Sequence, residues 1–297
     1  MKREGIMLAY PAEEKRIKAF TKIQEENGEQ VIKMFHQPKL NGERCRIEWF
    51  KDVPYLISSY GNQFSFMDNI QKQLQVLAEV TGQQLKHDGE VYVHGWSRER
   101  IDSALRRTKN RNPDVDLLEY HIFDEQNDKL QYERIRDLGL LEQAIHKLQL
   151  PSIKVVPYGI CTENEWLHHC GMYCEEGYEG IILRELFGNY TEKRSPWILK
   201  FKPKETDIYT IVSVNEAFTS GTKMPKGMVG SFTVASKDVP GDSIVFDVGA
   251  GKLSHEQRIL YWSTRGSLLG KDLLVKHELL RTTNQVPIAA VTVDIIW

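Results

Sequence analysis

Apolar and polar residues alternate with a period of two in Cys45-Arg46-Ile47-Glu48-Trp49, which predicts a strand buried on one face. Trp197 to Pro203 reads the same way. Lys200 and Lys202 share one side, and Leu199 and Phe201 point to the other. Residues 65–80 and 132–149 carry helical periodicity and predict amphipathic helices, and residues 11–30 read as a charged, exposed helix. Up to about residue 204, short strands interleave with helices. Beyond Pro203 the runs IYTIVSV, GSFTVAS, SIVFDVG, DLLVKHELL and AAVTVDII predict five strands. One helix interrupts them, SHEQRILYWSTRG, where Ser254 and Gln257 form a capping-box pattern. Five strands and one helix suit a small barrel such as an OB-fold, with a sandwich as the alternative. The expected boundaries are 1–204 and 205–297.

The 297 residues are 41% apolar and 27% charged, a globular composition. No apolar run approaches the length of a membrane span, and residues 1–16 hold no secretory signal. Four cysteines without a CxxC pair make a reducing cytoplasm the default. His168, His169, Cys170 and Cys174 lie close together, but their spacing fits no common zinc site, and they read as ordinary helix residues.

The net charge of −2 does not mark a nucleic-acid binder, so local charge carries more. Arg98 to Arg111 contains six basic and two acidic residues, among them Arg106 and Arg107. Lys193, Arg194, Lys200, Lys202 and Lys204 form a second basic run. Each is either a solvated face or a surface that neutralises phosphates.

Five short motifs hold candidate chemistry. In Lys39-Leu40-Asn41-Gly42-Glu43-Arg44 a lysine stands beside a glycine turn and an arginine, and is a surface residue or a nucleophile whose pKa its neighbours depress. Asp88-Gly89-Glu90-Val91-Tyr92-Val93 reads as a turn launching a strand, either a plain hairpin or a carboxylate for a sugar hydroxyl. In Tyr120-His121-Ile122-Phe123-Asp124 alternation separates His121 and Phe123 from the other three, and Phe123 is core or a stacking surface for a base. Glu179-Gly180-Ile181-Ile182-Leu183-Arg184 opens with a carboxylate suited to Mg²⁺ beside phosphates. Lys200 and Lys202 are solvated edge lysines, or two cations with an anion between them.

In this order, and followed by a β-rich region, the five motifs resemble the covalent nucleotidyltransferase superfamily, and most of all the small virus- and phage-type ATP-dependent DNA ligases. The resemblance runs from about residue 30 to 297. MVGSFTV, IVFDVGAGKLSHEQRILYW and GKDLLVKHELL resemble the ligase OB domain. It implies an α+β nucleotidyltransferase domain with ATP-grasp-like antiparallel sheets and helices, then an OB-fold barrel. By the same resemblance Lys39 takes AMP from ATP, Arg44 and Glu90 hold the sugar, and Phe123 stacks on adenine. Gln37 reads the adenine edge, and Glu179 helps bind Mg²⁺ or Mn²⁺. Lys200 and Lys202 neutralise the α-phosphate, and Arg194, Arg106 and Arg107 contact nucleic acid. The implied substrate is nicked duplex DNA, sealed by a cytoplasmic monomer (in the host cytoplasm, if a phage encodes it). An RNA ligase, a capping guanylyltransferase and a non-catalytic nucleic-acid binder are the alternatives.

Three positions depart from the family pattern. Asn41 stands where an aspartate is usual, and Tyr60 stands where an arginine before a glycine touches the nick phosphate. Residues 285–293 carry no arginine of the kind that helps pyrophosphate leave, although Lys276 and Arg281 lie upstream. Weak self-adenylylation is therefore expected, with slower sealing from ATP than of a pre-adenylylated nick. The loop Thr219–Met228 is short for encircling DNA.

Overall fold

A computed structural model describes residues 3–25, 27–236, 244–282 and 284–296. The chain forms two compact units, Met1–Lys202 and Pro203–Trp297.

The first unit begins with strand β1 (Leu8–Pro11), the single-turn helix α1 (Glu14–Ile17), β2 (Lys22–Gln24) and β3 (Gln30–Lys39). The helix expected over residues 11–30 is thus replaced by one helical turn and a hairpin. Ile17 and Phe20 bury and end the turn. Gly28 then takes φ +83° and lets β2 fold back on β3 with Lys22 opposite Ile32. The side chain of Asn27 accepts from the Glu29 N–H at 2.9 Å and fixes that turn.

Next come β4 (Glu43–Phe50), β5 (Val53–Ser58), α2 (Asp68–Thr81), β6 (His87–Tyr92), α3 (Arg98–Leu105) and β7 (Glu119–Glu125). Then follow α4 (Gln131–Leu148), β8 (Ile153–Val155), β9 (Gly159–Thr162), α5 (Trp166–Glu175), β10 (Gly180–Glu185) and β11 (Arg194–Phe201). Asp88 and Gly89 do not form the turn expected of them. They lie inside β6, paired with β4 and β7. Gly89 is needed there for contact, since a Cβ would stand 2.4 Å from the His121 carbonyl and 2.7 Å from the Tyr120 ring.

These strands form two sheets. One has the order β1-β11-β10-β3-β2, with β9 also on β3, and the other the order β5-β4-β6-β7-β8. Apolar side chains of each sheet pack under helices. Ile47, Leu56 and Ile122 share a core with Leu74 of α2 and Leu138 of α4. Met34, Ile181, Leu183 and Leu199 share another with Trp166 and Cys170 of α5. His168, His169, Cys170 and Cys174 all lie on α5, and among the described residues they form no metal-holding group.

The second unit comprises β12 (Lys204–Phe218), β13 (Pro225–Ala235), β14 (Val245–Gly249), α6 (His255–Ser263), β15 (Asp272–Glu278) and β16 (Val291–Ile296). Its strands close into a barrel in the order β12-β13-β14-β16-β15 around Val229, Phe232, Val248, Leu273 and Val275. Ser254 caps α6 by accepting from the Gln257 N–H at 3.1 Å, and Gln257 returns the bond to the Ser254 N–H at 2.8 Å. Ser243, at the start of the third expected strand, lies outside the described residues.

Candidate active site

The two sheets of the first unit face each other across a cleft of about 310 Å³, within the size range of small-ligand sites. Alternation along the strands decides what reaches it. On β10, Ile182 and Arg184 line the cleft while Ile181 and Leu183 bury toward α5. On β11 and just beyond it, Ile198, Lys200 and Lys202 line the cleft. Leu199 is buried behind them, and the Phe201 ring packs on Trp166 at 5.2 Å.

Lys39 ends β3, and residues 40–42 carry the chain from one sheet to the other. The crossing is tight. A Cβ on Gly42 would stand 2.3 Å from the Val91 carbonyl, so only glycine fits. Its N–H donates to Glu90 Oε1 at 2.7 Å. Burial pushes the Glu90 carboxyl above the usual range, while Lys39, Arg44 and this N–H pull the other way.

Lys39 Nζ is ion-paired with Glu179 Oε2, and Lys202 Nζ with Glu179 Oε1. One carboxylate therefore bridges two ammonium groups. Lys200 has no carboxylate partner among the described residues. Burial and the charges of Lys39, Lys202, Arg194 and Arg3 hold its amine below the usual lysine range.

Phe123 lines the cleft between two guanidiniums, Arg44 at 4.5 Å and Arg184 at 5.5 Å from its ring centre. Arg44 is gripped by Asp88 through bonds of 2.7 and 2.5 Å, and donates to the Met7 carbonyl at 3.0 Å. Burial would lower its pKa, but Asp88 outweighs burial and raises it. Gln37 is buried and committed. Its Nε2 donates to the Phe123 carbonyl at 3.3 Å, and its Oε1 accepts from Arg184 Nε at 2.8 Å. Arg184 Nη1 donates to Asp124 at 2.6 Å, and Arg134 Nε donates to the same carboxylate at 2.7 Å.

Lys39, Arg44, Glu90, Phe123, Glu179, Arg194, Lys200, Lys202 and Gln37 thus line one cleft. Arg106 and Arg107 do not. They are exposed at the end of α3, and Arg106 pairs with Asp102 at 3.0 Å. In the second unit, Arg281 bonds Asp207 at 3.1 Å and Tyr209 at 3.4 Å, so it is already engaged. Glu205, Asp207 and His277 bring their ligand atoms within 4.8 Å of one another there. The His277 ring is also bonded to Asp207 at 2.9 Å and to the Glu278 carbonyl at 2.7 Å.

No protein-family model matches the chain. A DNA ligase of African swine fever virus (isolate Tick/Malawi/Lil 20-1/1983) is 30% identical over 155 residues, 50% of this chain and 36% of that protein. The solved structure "Pmar-Lig_PreS3" matches with a TM-score of 0.77 at 22% identity, covering 98% of this chain and 67% of that one. A Lig E DNA ligase structure, described as DNA binding with a minimal scaffold, matches with a TM-score of 0.70 at 20% identity, covering 98% and 99%. This chain has the DNA-ligase fold. The matched region spans little more than a third of the viral relative.

Within that fold, sequence reasoning missed several cleft residues. Arg184 closes the strand motif that Glu179 opens, two alternations from Gly180, so its cleft-facing side was legible from period two. Asp88, buried behind the cleft, was visible as a carboxylate, but its partner Arg44 sits on another strand. Arg98, which is ion-paired with Glu43 in the cleft, gave no signal beyond local charge. Arg3 gave none at all.

Proposed function

We propose that this chain is an ATP-dependent DNA ligase that seals nicks in duplex DNA through an AMP carried on Lys39. The observation that carries the reading is the convergence of Lys39, Glu179, Lys200 and Lys202 in a cleft that also holds an aromatic ring. A lysine nucleophile must shed its proton, and the Glu179 carboxylate in contact with it is the acceptor. The deprotonated Nζ attacks the α-phosphate of ATP, a P–N bond forms, and pyrophosphate leaves. Lys200 and Lys202 stabilise the charge on the α-phosphate as the bonds change.

Phe123 stacks on the adenine, while Arg44 and Glu90 hold the ribose. Gln37 and Arg184 form the wall beside the base. AMP then passes to the 5′-phosphate of the nick, as the P–N bond breaks and a P–O–P bond forms. The 3′-hydroxyl finally attacks that phosphate and releases AMP. The Glu179 carboxylate is a hard oxygen donor of the kind Mg²⁺ or Mn²⁺ takes, and it lies in the cleft beside the proposed α-phosphate lysines. Glu179 would hold such a cation, which would supply positive charge to the phosphates.

We assign residues 1–204 as the nucleotidyltransferase domain. Residues 205–297 are assigned as an OB-fold, because a five-stranded barrel with a helix between its third and fourth strands has that topology. The barrel, Arg194, Arg106 and Arg107 contact the DNA backbone, with little base reading. No helix among the described residues is long and apolar enough to cross a membrane.

Incubation with α-labelled ATP and Mg²⁺ tests the reading. Label stays on the denatured protein and is absent from Lys39→Ala, and the labelled protein seals a DNA nick faster than an RNA nick. A wild-type chain that never takes label at high ATP overturns it.

A further inference from the structure

Most cations that line the cleft are already neutralised. Lys39 and Lys202 share Glu179, Arg98 pairs with Glu43, and Arg44 pairs with Asp88. Arg194 donates to the Ala9 carbonyl at 2.6 Å. Arg3 and Lys200 make no ion pair with a carboxylate among the described residues, although the charge of Arg3 reaches Glu43, and both line the cleft. Lys200 is already one of the two lysines proposed for the α-phosphate. Arg3 comes from elsewhere in the chain, and its guanidinium lies 5.7 Å from the centre of the Tyr60 ring.

The backbone that carries Arg3 is held at several points. The Glu4 N–H donates to the Ser59 carbonyl at 3.1 Å. Arg46 Nη1 donates to the Glu4 carbonyl at 3.1 Å and to the Ser58 carbonyl at 3.2 Å. Gln126 Nε2 donates to the Gly5 carbonyl at 2.6 Å. Gly5 takes φ +66°, and a Cβ there would stand 2.9 Å from the Arg46 guanidinium. This strap crosses the turn Ser58-Ser59-Tyr60-Gly61 and leaves the Arg3 side chain exposed above it. Ser59 of the turn lines the cleft as well. A fixed backbone carrying an exposed guanidinium with no ion pair is suited to a terminal phosphate, which accepts two parallel N–H bonds.

We infer that Arg3 binds the 5′-terminal phosphate of the strand that receives AMP, in a second anion subsite beside Lys39. The inference rests on the ligase reading above. The strap supplies the cation that the turn itself lacks at Tyr60. Its role begins after Lys39 is loaded, so it separates acceptor binding from nucleotide chemistry.

Three measurements on the full chain test it. Arg3→Ala forms the lysyl–AMP protein from ATP within about twofold of wild type. In a single turnover, its preformed lysyl–AMP protein passes AMP to a 5′-phosphorylated nick roughly tenfold or more slowly, the scale expected for one lost charged hydrogen bond. Tyr60→Arg added to Arg3→Ala restores transfer, since it returns a guanidinium to the same place. Direct binding needs no adenylylation: wild type prefers a 5′-phosphorylated over a 5′-hydroxyl nick, and Arg3→Ala loses that preference. Transfer at the wild-type rate, or an unchanged preference, overturns the role of Arg3. If the wild-type chain takes no label from ATP, the ligase reading fails separately, and the binding comparison still decides whether Arg3 recognises the phosphate.

Discussion

The N–H of Gly42 donates to Glu90 Oε1 across 2.7 Å, joining the segment after the candidate nucleophile to the opposite sheet. The bond exists because the chain passes within contact distance of the Val91 carbonyl, a path closed to any residue with a Cβ. Gly42→Ala is therefore expected to shift the crossing, misplace both Lys39 and Glu90, and lower stability by about 1–3 kcal/mol, the usual range for overpacking. Thermal unfolding and labelling by ATP check it together. Glu90→Gln keeps the fold and separates the two effects, with full stability and reduced labelling.

Glu179 bridges Lys39 and Lys202, so removing its charge leaves two neighbouring ammonium groups without their common counterion. Glu179→Gln is expected to cut labelling by about a hundredfold, within the range for loss of a positioned proton acceptor. It also raises the Mg²⁺ or Mn²⁺ concentration needed for half-maximal labelling. A variant that labels like wild type across a metal titration would remove Glu179 from the chemistry.

The elements that were legible in the sequence are those where one period dominates. The helices expected over residues 65–80 and 132–149 form as α2 (Asp68–Thr81) and α4 (Gln131–Leu148) because a single apolar face packs on the sheet, and Leu199 and Lys200 part sides because β11 is half-buried. Residues 11–30 were misread as helix because charges mask the Asn27-Gly28 turn, which only β3 makes useful. Asp88-Gly89 was misread as a turn because glycine there serves a close approach by Tyr120, a tertiary contact. Lys39, Glu90, Phe123, Glu179 and Lys200 stood out as members of an ordered set. Arg3 and Arg98 did not, since their cleft positions depend on pairings that no local spacing encodes.

Burial holds His87 neutral, with its pKa pulled down to about 4, and neither ring nitrogen has a partner among the described residues. The unfolded chain takes up that proton near pH 6.5. The His87 contribution is therefore flat above pH 6.5 and falls as pH drops from 6.5 to 4, by up to about 3 kcal/mol. His36 acts in the same direction, with burial first and His169 second drawing it to about 4. Glu125 opposes them. Burial and Asp137 raise it to about 7, so its contribution is lost as pH rises from 4.5 to 7. Chemical unfolding across pH 4–8 should show a shallower acid slope in His87→Met and a steeper one in Glu125→Gln. An unchanged slope in His87→Met would refute the assignment.

Asp124 is fully buried and receives two guanidiniums, Arg134 at 2.7 Å and Arg184 at 2.6 Å. Burial works to raise its pKa, but the two arginines outweigh it and hold the carboxyl below its usual range. Asp124→Asn leaves both cations in the core without a counter-charge, so a loss of about 3–5 kcal/mol is expected. Gln37→Leu is milder, because it strips the Arg184 Nε partner and the donor to the Phe123 carbonyl but leaves the ion pair intact. The two variants also differ in function. Gln37→Leu should keep most of its stability while weakening ATP binding, because Arg184 beside Phe123 loses one of its three side-chain acceptors and keeps Asp124 and Gln131. Isothermal titration with ATP, set beside thermal unfolding, distinguishes them. Equal losses of stability in both variants would show that the Asp124 ion pairs contribute no more than the Gln37 bonds, against this expectation.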